Sequence, residues 1–177
     1  MKKSAVFQEM INEIIEKINE RSKGDFTDGD RVVIGALQAK IFNNENNYMY
    51  KGEYEEAILE KIYNECDRKE KLVAIGEIGL DYSYEDINKE LQKKIFIDQI
   101  KFAIKYNLPI VIHTRDASHD TYEILKEYIP ENYKVLLHCF NPNDELVKLV
   151  LDNPNYYVAF GGNITFKRKD SFEKYVE

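Results

Sequence analysis

The sequence predicts an α/β fold of the parallel kind, an incomplete (β/α)8 barrel with about five strands and intervening helices. Three observations predict it. Short apolar runs of strand length alternate with segments of helical period from end to end. Three of those runs end in a side chain that binds metals: LVAIGE at Glu77, PIVIH at His113 and KVLLH at His138. The distance from each of these groups to the next is that of one strand–helix unit, which implies right-handed parallel crossovers. The C-terminal ends of parallel strands share one rim, so groups far apart in sequence converge there, where α/β enzymes place their chemistry. An open parallel sheet would also satisfy the alternation, but ligands at the ends of three successive strands favour a barrel rim. A full barrel needs eight strands and typically about 250 residues, so this chain of 177 residues is short of one.

The elements follow in order. Phe7, Met10, Ile11, Ile14, Ile15 and Ile18 mark one face of an amphipathic helix. Its polar face mixes Glu with Lys, which favours packing on a core over lying on a membrane surface. SKGDFTDGD ends that helix, and Arg31 to Leu37 is a short strand. The Asn-rich FNNENNYMYKG is a surface loop. Tyr54, Ala57, Ile58 and Ile62 mark the next helix. Leu72 to Glu77 is a strand, GLDYSYEDIN a loop, and Leu91 to Tyr106 a long helix, with Asn107 as a left-handed cap and Pro109 as its stop. Pro109 to His113 is a strand. Ser118 or Asp120 caps a helix to Tyr128. Lys134 to His138 is a strand, and Asn141 with Pro142 opens a helix through Leu151. Tyr156 to Phe160 is a strand ending in two glycines, and Lys169 begins a last helix. Met1 leads almost directly into a helix and Glu177 arrives inside one. Both ends therefore suggest a single partial domain over residues 1–177.

Composition narrows the function classes. Hydrophobic content is 44% and charged content 32%, ordinary for a globular domain. The formal net charge of −7 gives no footprint for non-specific nucleic-acid binding. An acidic chain that handles phosphates needs another source of positive charge, and a bound divalent ion is one. Cys66 and Cys139 are the two cysteines, and no secretory signal is evident. These features suggest a reducing compartment, the cytoplasm or alternatively the nucleus. No segment is long and apolar enough for a membrane.

Imidazole and carboxylate together suit Zn, Mn, Fe or Mg. Glu77, His113 and His138 are thus candidate ligands for one or two divalent ions. A metal pair can clamp the attacking and leaving oxygens of a phosphodiester, whereas a single catalytic Zn needs three protein ligands and an open position. Each position alone has a bland reading, a solvated Glu after a strand or a hydrogen-bonded His at a strand end; their joint placement favours the metal. His119 is read as an exposed residue at a helix start. Arg115 is a candidate for phosphate binding, or else pairs with Asp116 or Asp81 to hold the loop. Asp81 and Asp116 are candidates to orient a ligand or water from behind, and a loop-capping role is the plainer reading of Asp81. Gly161 and Gly162 suit a tight turn or a close substrate approach. Cys139, directly after His138, should point to the opposite face of the pleat and pack there.

The stretches VAIGEIGLDYSYED, LPIVIHTRDASHDTYEILKE, VLLHCFNPNDELVKLVLD and YYVAFGGNITFK, in this order and spacing, resemble the TatD family of metal-dependent deoxyribonucleases. The resemblance is dense over about residues 70 to 168. It implies a TIM-type barrel of which these five strands are the third to seventh. Glu77 then corresponds to the carboxylate that bridges the metals, and His113 and His138 to the histidine ligands after the fifth and sixth strands. Departures accompany it. Where the third strand of the family has His-Pro, this chain has Ala36 and Leu37. The His-x-His pair of the first strand occurs nowhere here, and the chain stops before the metal-binding Asp of the last strand. The expectation is a fragment, a mis-assembled gene product or a degenerate relative.

The function implied by the resemblance is hydrolysis of DNA phosphodiester bonds by metal-activated water, with Glu77 catalytic as well as ligating and with weak activity or none in this chain. A non-catalytic remnant or interaction module is one alternative, and a barrel amidohydrolase acting on C–N bonds another. DNA is the expected partner. No membrane and no obligate protein partner are expected, although exposed barrel edges favour self-association.

Overall fold

The computed structural model describes residues 32–34, 59–60, 63–65, 69, 72–85, 87–162 and 175. Five strands form one sheet: β1 (Val32–Ile34), β2 (Leu72–Asp81), β3 (Ile110–Arg115), β4 (Val135–Leu137) and β5 (Tyr156–Val158). Their order in the sheet is their order in the chain, and every neighbouring pair is parallel. Three helices connect the later strands: α1 (Lys89–Lys105), α2 (Ser118–Tyr128) and α3 (Asp144–Asp152).

This order decides between the two architectures left open by the sequence. A doubly wound sheet reverses its strand order part-way and so carries helices on both faces. Here the order never reverses, and crossovers of one hand then place the connecting helices α1, α2 and α3 on the same face. The helices touch in succession accordingly, α1 against α2 and α2 against α3. The arc of an incomplete (β/α)8-type barrel is the result, with the core between strands and helices.

Alternation along each strand sorts core from rim. In β3, Ile110 and Ile112 are fully buried, and the Thr114 hydroxyl meets that of buried Thr121 in α2 at 2.9 Å. The even positions therefore face the helices, and Val111, His113 and Arg115 share the inner face. In β4, Val135 and Leu137 are buried, which leaves Leu136 and His138 for the inner face. In α1, Gln92, Ile95, Phe96, Gln99, Ile100 and Ala103 form the covered stripe at helical spacing.

Several boundaries differ from the sequence expectation. The strand expected to stop at Glu77 continues to Asp81, so the first part of GLDYSYEDIN is strand. Its register against β3 shifts between Ile75 and Ile78: these pair with Ile110 and Ile112, so β2 carries one extra residue. Such a bulge turns the strand, and Ile75 and Ile78 are both buried while Glu77 between them is part-exposed. β3 likewise runs two residues past His113. Neither Ser118 nor Asp120 caps α2; Ala117 holds that position without a side-chain bond. Asn143, not Asn141 with Pro142, caps α3, its side chain accepting from the Leu146 N–H at 2.9 Å. Asn88 caps α1 in the same manner. Asn107 is left-handed as expected, with φ of 52°. The expected helices at residues 7–18 and from residue 169, and the Asn-rich loop, lie outside the described residues apart from Tyr175, which is in a turn and donates to Asp144 Oδ1 at 2.6 Å.

Candidate metal centre

Glu77, His113 and His138 meet on the inner face of the arc. The Glu77 carboxylate spans the two rings, with Oε1 against His138 Nδ1 and Oε2 3.9 Å from His113 Nδ1. The sheet produces this meeting. Gly79 pairs with His113, so the bulged part of β2 lies beside that ring. The His138 N–H donates to Ile112 O at 2.9 Å, which carries the β3–β4 ladder on to His138.

Asp81 completes the arrangement. Its Oδ2 lies 3.1 Å from His113 Nε2, and its Oδ1 accepts from the Ser83 N–H at 2.9 Å and the Ser83 hydroxyl at 2.5 Å. Burial pushes the Asp81 carboxyl up, but the bonds from Ser83 and His113 and the attraction of the imidazole outweigh it and hold it below its usual range. An ionised carboxylate only accepts, so the proton of a neutral His113 sits on Nε2 and the Nδ1 lone pair faces Glu77. A carboxylate behind the ring is how metal-ligating histidines are commonly oriented. Asp81 therefore contacts the His113 ring directly.

The other candidates do not join the cluster. Arg115 is exposed, on the inner face with His113, and among the described residues it pairs with neither Asp81 nor Asp116. Asp116 is exposed and left-handed, with φ of 53°. His119 is exposed, its Nδ1 3.0 Å from Glu145. Cys139 corrects the expectation of a packed thiol. With φ of 45° it breaks the pleat alternation, stays exposed and brings Sγ to 3.6 Å from His138 Nε2. Alternation assumes extended backbone, and a left-handed residue escapes it.

Two polar contacts around Asp81 and Tyr82 are not legible in the sequence. Gln92 in α1 clasps the main chain of Asp81. The signal for it is a polar residue on a mainly apolar helical stripe, which carries Gln99 as well. Tyr82 donates to Asp120 Oδ2 at 2.7 Å, and Lys93 reaches the same oxygen at 2.9 Å. Burial, and then the bond to Asp120, push the Tyr82 phenol well above its usual range.

The donor set fits a divalent ion in kind, with one carboxylate, two imidazoles and a carboxylate behind one ring. Among the described residues, no group of three or more His, Cys, Asp or Glu side chains is disposed as a metal cage. What is present is a cluster in which the Glu77 carboxylate lies between the two imidazoles.

A family model described as TatD related DNase matches residues 41–177. The chain belongs to this family. It is 45% identical over 103 residues to the uncharacterized metal-dependent hydrolase YabD of Bacillus subtilis (strain 168), a match over 58% of this chain and 40% of YabD. It is 39% identical over 101 residues to the human 3'-5' RNA nuclease TATDN2, covering 56% of this chain and 13% of that one. The fold is similar to that of YJJV, a TatD homologue of Escherichia coli K12, with a TM-score of 0.56 at 24% identity, over 81% of this chain and 51% of that chain. The chain thus spans about half or less of the length of each of these proteins.

Proposed function

We propose that this TatD-family chain carries part of the active site of a metal-dependent nuclease that hydrolyses phosphodiester bonds, with DNA as its substrate. The observation that carries this reading is the Glu77 carboxylate spanning His113 and His138, with Asp81 behind the His113 ring. Glu77, His113 and His138 would hold one or two divalent ions, Zn, Mn or Mg. When bound, such an ion supplies Lewis acidity at the phosphodiester and makes water a competent nucleophile near neutral pH. Glu77 supplies negative charge between the rings, and Asp81 keeps the His113 proton on Nε2. Arg115, exposed on the same inner face, would bind a phosphate oxygen through its planar fork. In this reading the five strands are the third to seventh of the family barrel.

Purified chain is to be incubated with linear DNA, and in parallel with RNA, in Mn, Zn or Mg. Weak cleavage of DNA that disappears in Glu77→Ala is the expected result. Cleavage of RNA alone would overturn the choice of substrate, and robust cleavage by Glu77→Ala would overturn the site. One observation favours a second reading, a non-catalytic remnant or interaction module: among the described residues the donors form a chain of contacts and not a cage. That reading expects metal binding or self-association without cleavage under any of the three ions.

A further inference from the structure

Gln92 lies on the covered stripe of α1, 4% exposed, beside Ile95 and Phe96. Its amide is committed to a single residue. Nε2 donates to the Asp81 carbonyl at 2.8 Å, and Oε1 accepts from the Asp81 N–H at 2.9 Å. One hydrogen bond leaves a pivot, but two bonds to the N–H and C=O of one residue fix its main chain in place and in rotation. The residue so fixed is the one whose side chain meets His113. With Oδ1 occupied by Ser83, Oδ2 is left for His113 Nε2. Amide, main chain, carboxylate and ring form one continuous series that ends at Nδ1, facing Glu77.

We propose that Gln92 is a positioning residue of the metal centre, acting through Asp81 to aim the His113 ring. The proposal rests on the reading of Glu77, His113 and His138 as ligands. Gln92 touches neither ligand nor substrate, and an ordinary buried amide satisfying a strand end would have no effect on the ring.

The test compares the full chain with Gln92→Met, which keeps the length and loses both bonds, and with Gln92→Glu, which keeps only the acceptor. Two quantities are read: Zn affinity by competition with a chromogenic chelator, and the His113 Nε2–H proton resonance of the metal-free protein. Gln92→Met should melt cooperatively, bind Zn about tenfold or more weakly and lose the exchange-protected Nε2–H signal. Asp81→Ala should match it, and the double variant should add little to either. Wild-type affinity and signal in Gln92→Met, whatever its melting temperature, would overturn the proposal. Should that variant fail to fold, Gln92→Glu decides by the same two quantities. If the wild type itself binds no Zn, the ligand reading falls, and the His113 resonance still decides whether Gln92 sets the ring.

Discussion

Gly79 marks how closely β2 approaches the backbone that carries His113. Its φ is 142°, a region that side chains rarely adopt, and a Cβ built there would lie 1.9 Å from the His113 carbonyl oxygen. Gly76 is similarly tight against Val111, at 2.4 Å from its Cβ. The carbonyl near Gly79 is main chain and cannot swing aside, so β2 would have to part from β3. We predict that Gly79→Ala destabilises the protein by at least about 2 kcal/mol, since an unfavourable φ alone costs about 1–3 kcal/mol. Urea denaturation checks it; a loss below about 0.5 kcal/mol would show that the strands can separate freely. At this scale the sequence was informative about residue type and silent about backbone. Glu77, His113 and His138 could be picked out as a strand-end cluster, but the bulge beside Glu77 in β2 and the left-handed turn at Cys139 leave no mark in the alternation of apolar residues.

Between elements, Asp120 joins α2 to α1 through Lys93 and to the segment after β2 through Tyr82. Burial pushes its carboxyl up, but the bonds from Tyr82 and Lys93 and the nearby charges of Lys93 and His119 hold it below its usual range. A carboxyl whose native pKa is depressed stabilises the fold above its unfolded value, about pH 4, and that contribution is lost as pH falls through the native value. Asp120→Asn should therefore be about 1 kcal/mol less stable at pH 7 and should lose less stability on acidification. The two curves should approach each other at low pH. A remaining slope is expected from Asp81 and Glu60, whose carboxyls are also held low. Parallel curves in acid denaturation would remove the assignment to Asp120. Helix existence was legible from period alone, as in the α1 stripe, because burial of one face is a local pattern. Caps were less so: Ser118, Asp120, Asn141 and Asn143 all suit a first turn, and only tertiary placement selects among them. Asp120 is instead spent on Tyr82, a contact 38 positions away in sequence.

For the whole molecule, charge and site have to be reconciled. The chain carries a formal net charge of −7, so its mean field repels a polyanion. Sequential parallel order places the candidate ligands of β2, β3 and the residue after β4 on one inner face, and Arg115 is on that face as well. If divalent ions held there supply the missing positive charge, nucleic-acid binding must depend on them far more than on general attraction. We predict that a fluorescein-labelled DNA oligonucleotide shows binding by anisotropy in Mn, and that EDTA weakens it at least about tenfold, the loss of one or more charge-assisted phosphate contacts. Glu77→Ala, which removes one negative charge, should behave like EDTA treatment. A purely electrostatic surface would give the opposite sign, because removing an acidic group then strengthens binding. Equal affinity with and without EDTA would place the DNA elsewhere on the molecule, and unchanged affinity in Glu77→Ala would separate the ion from this carboxylate.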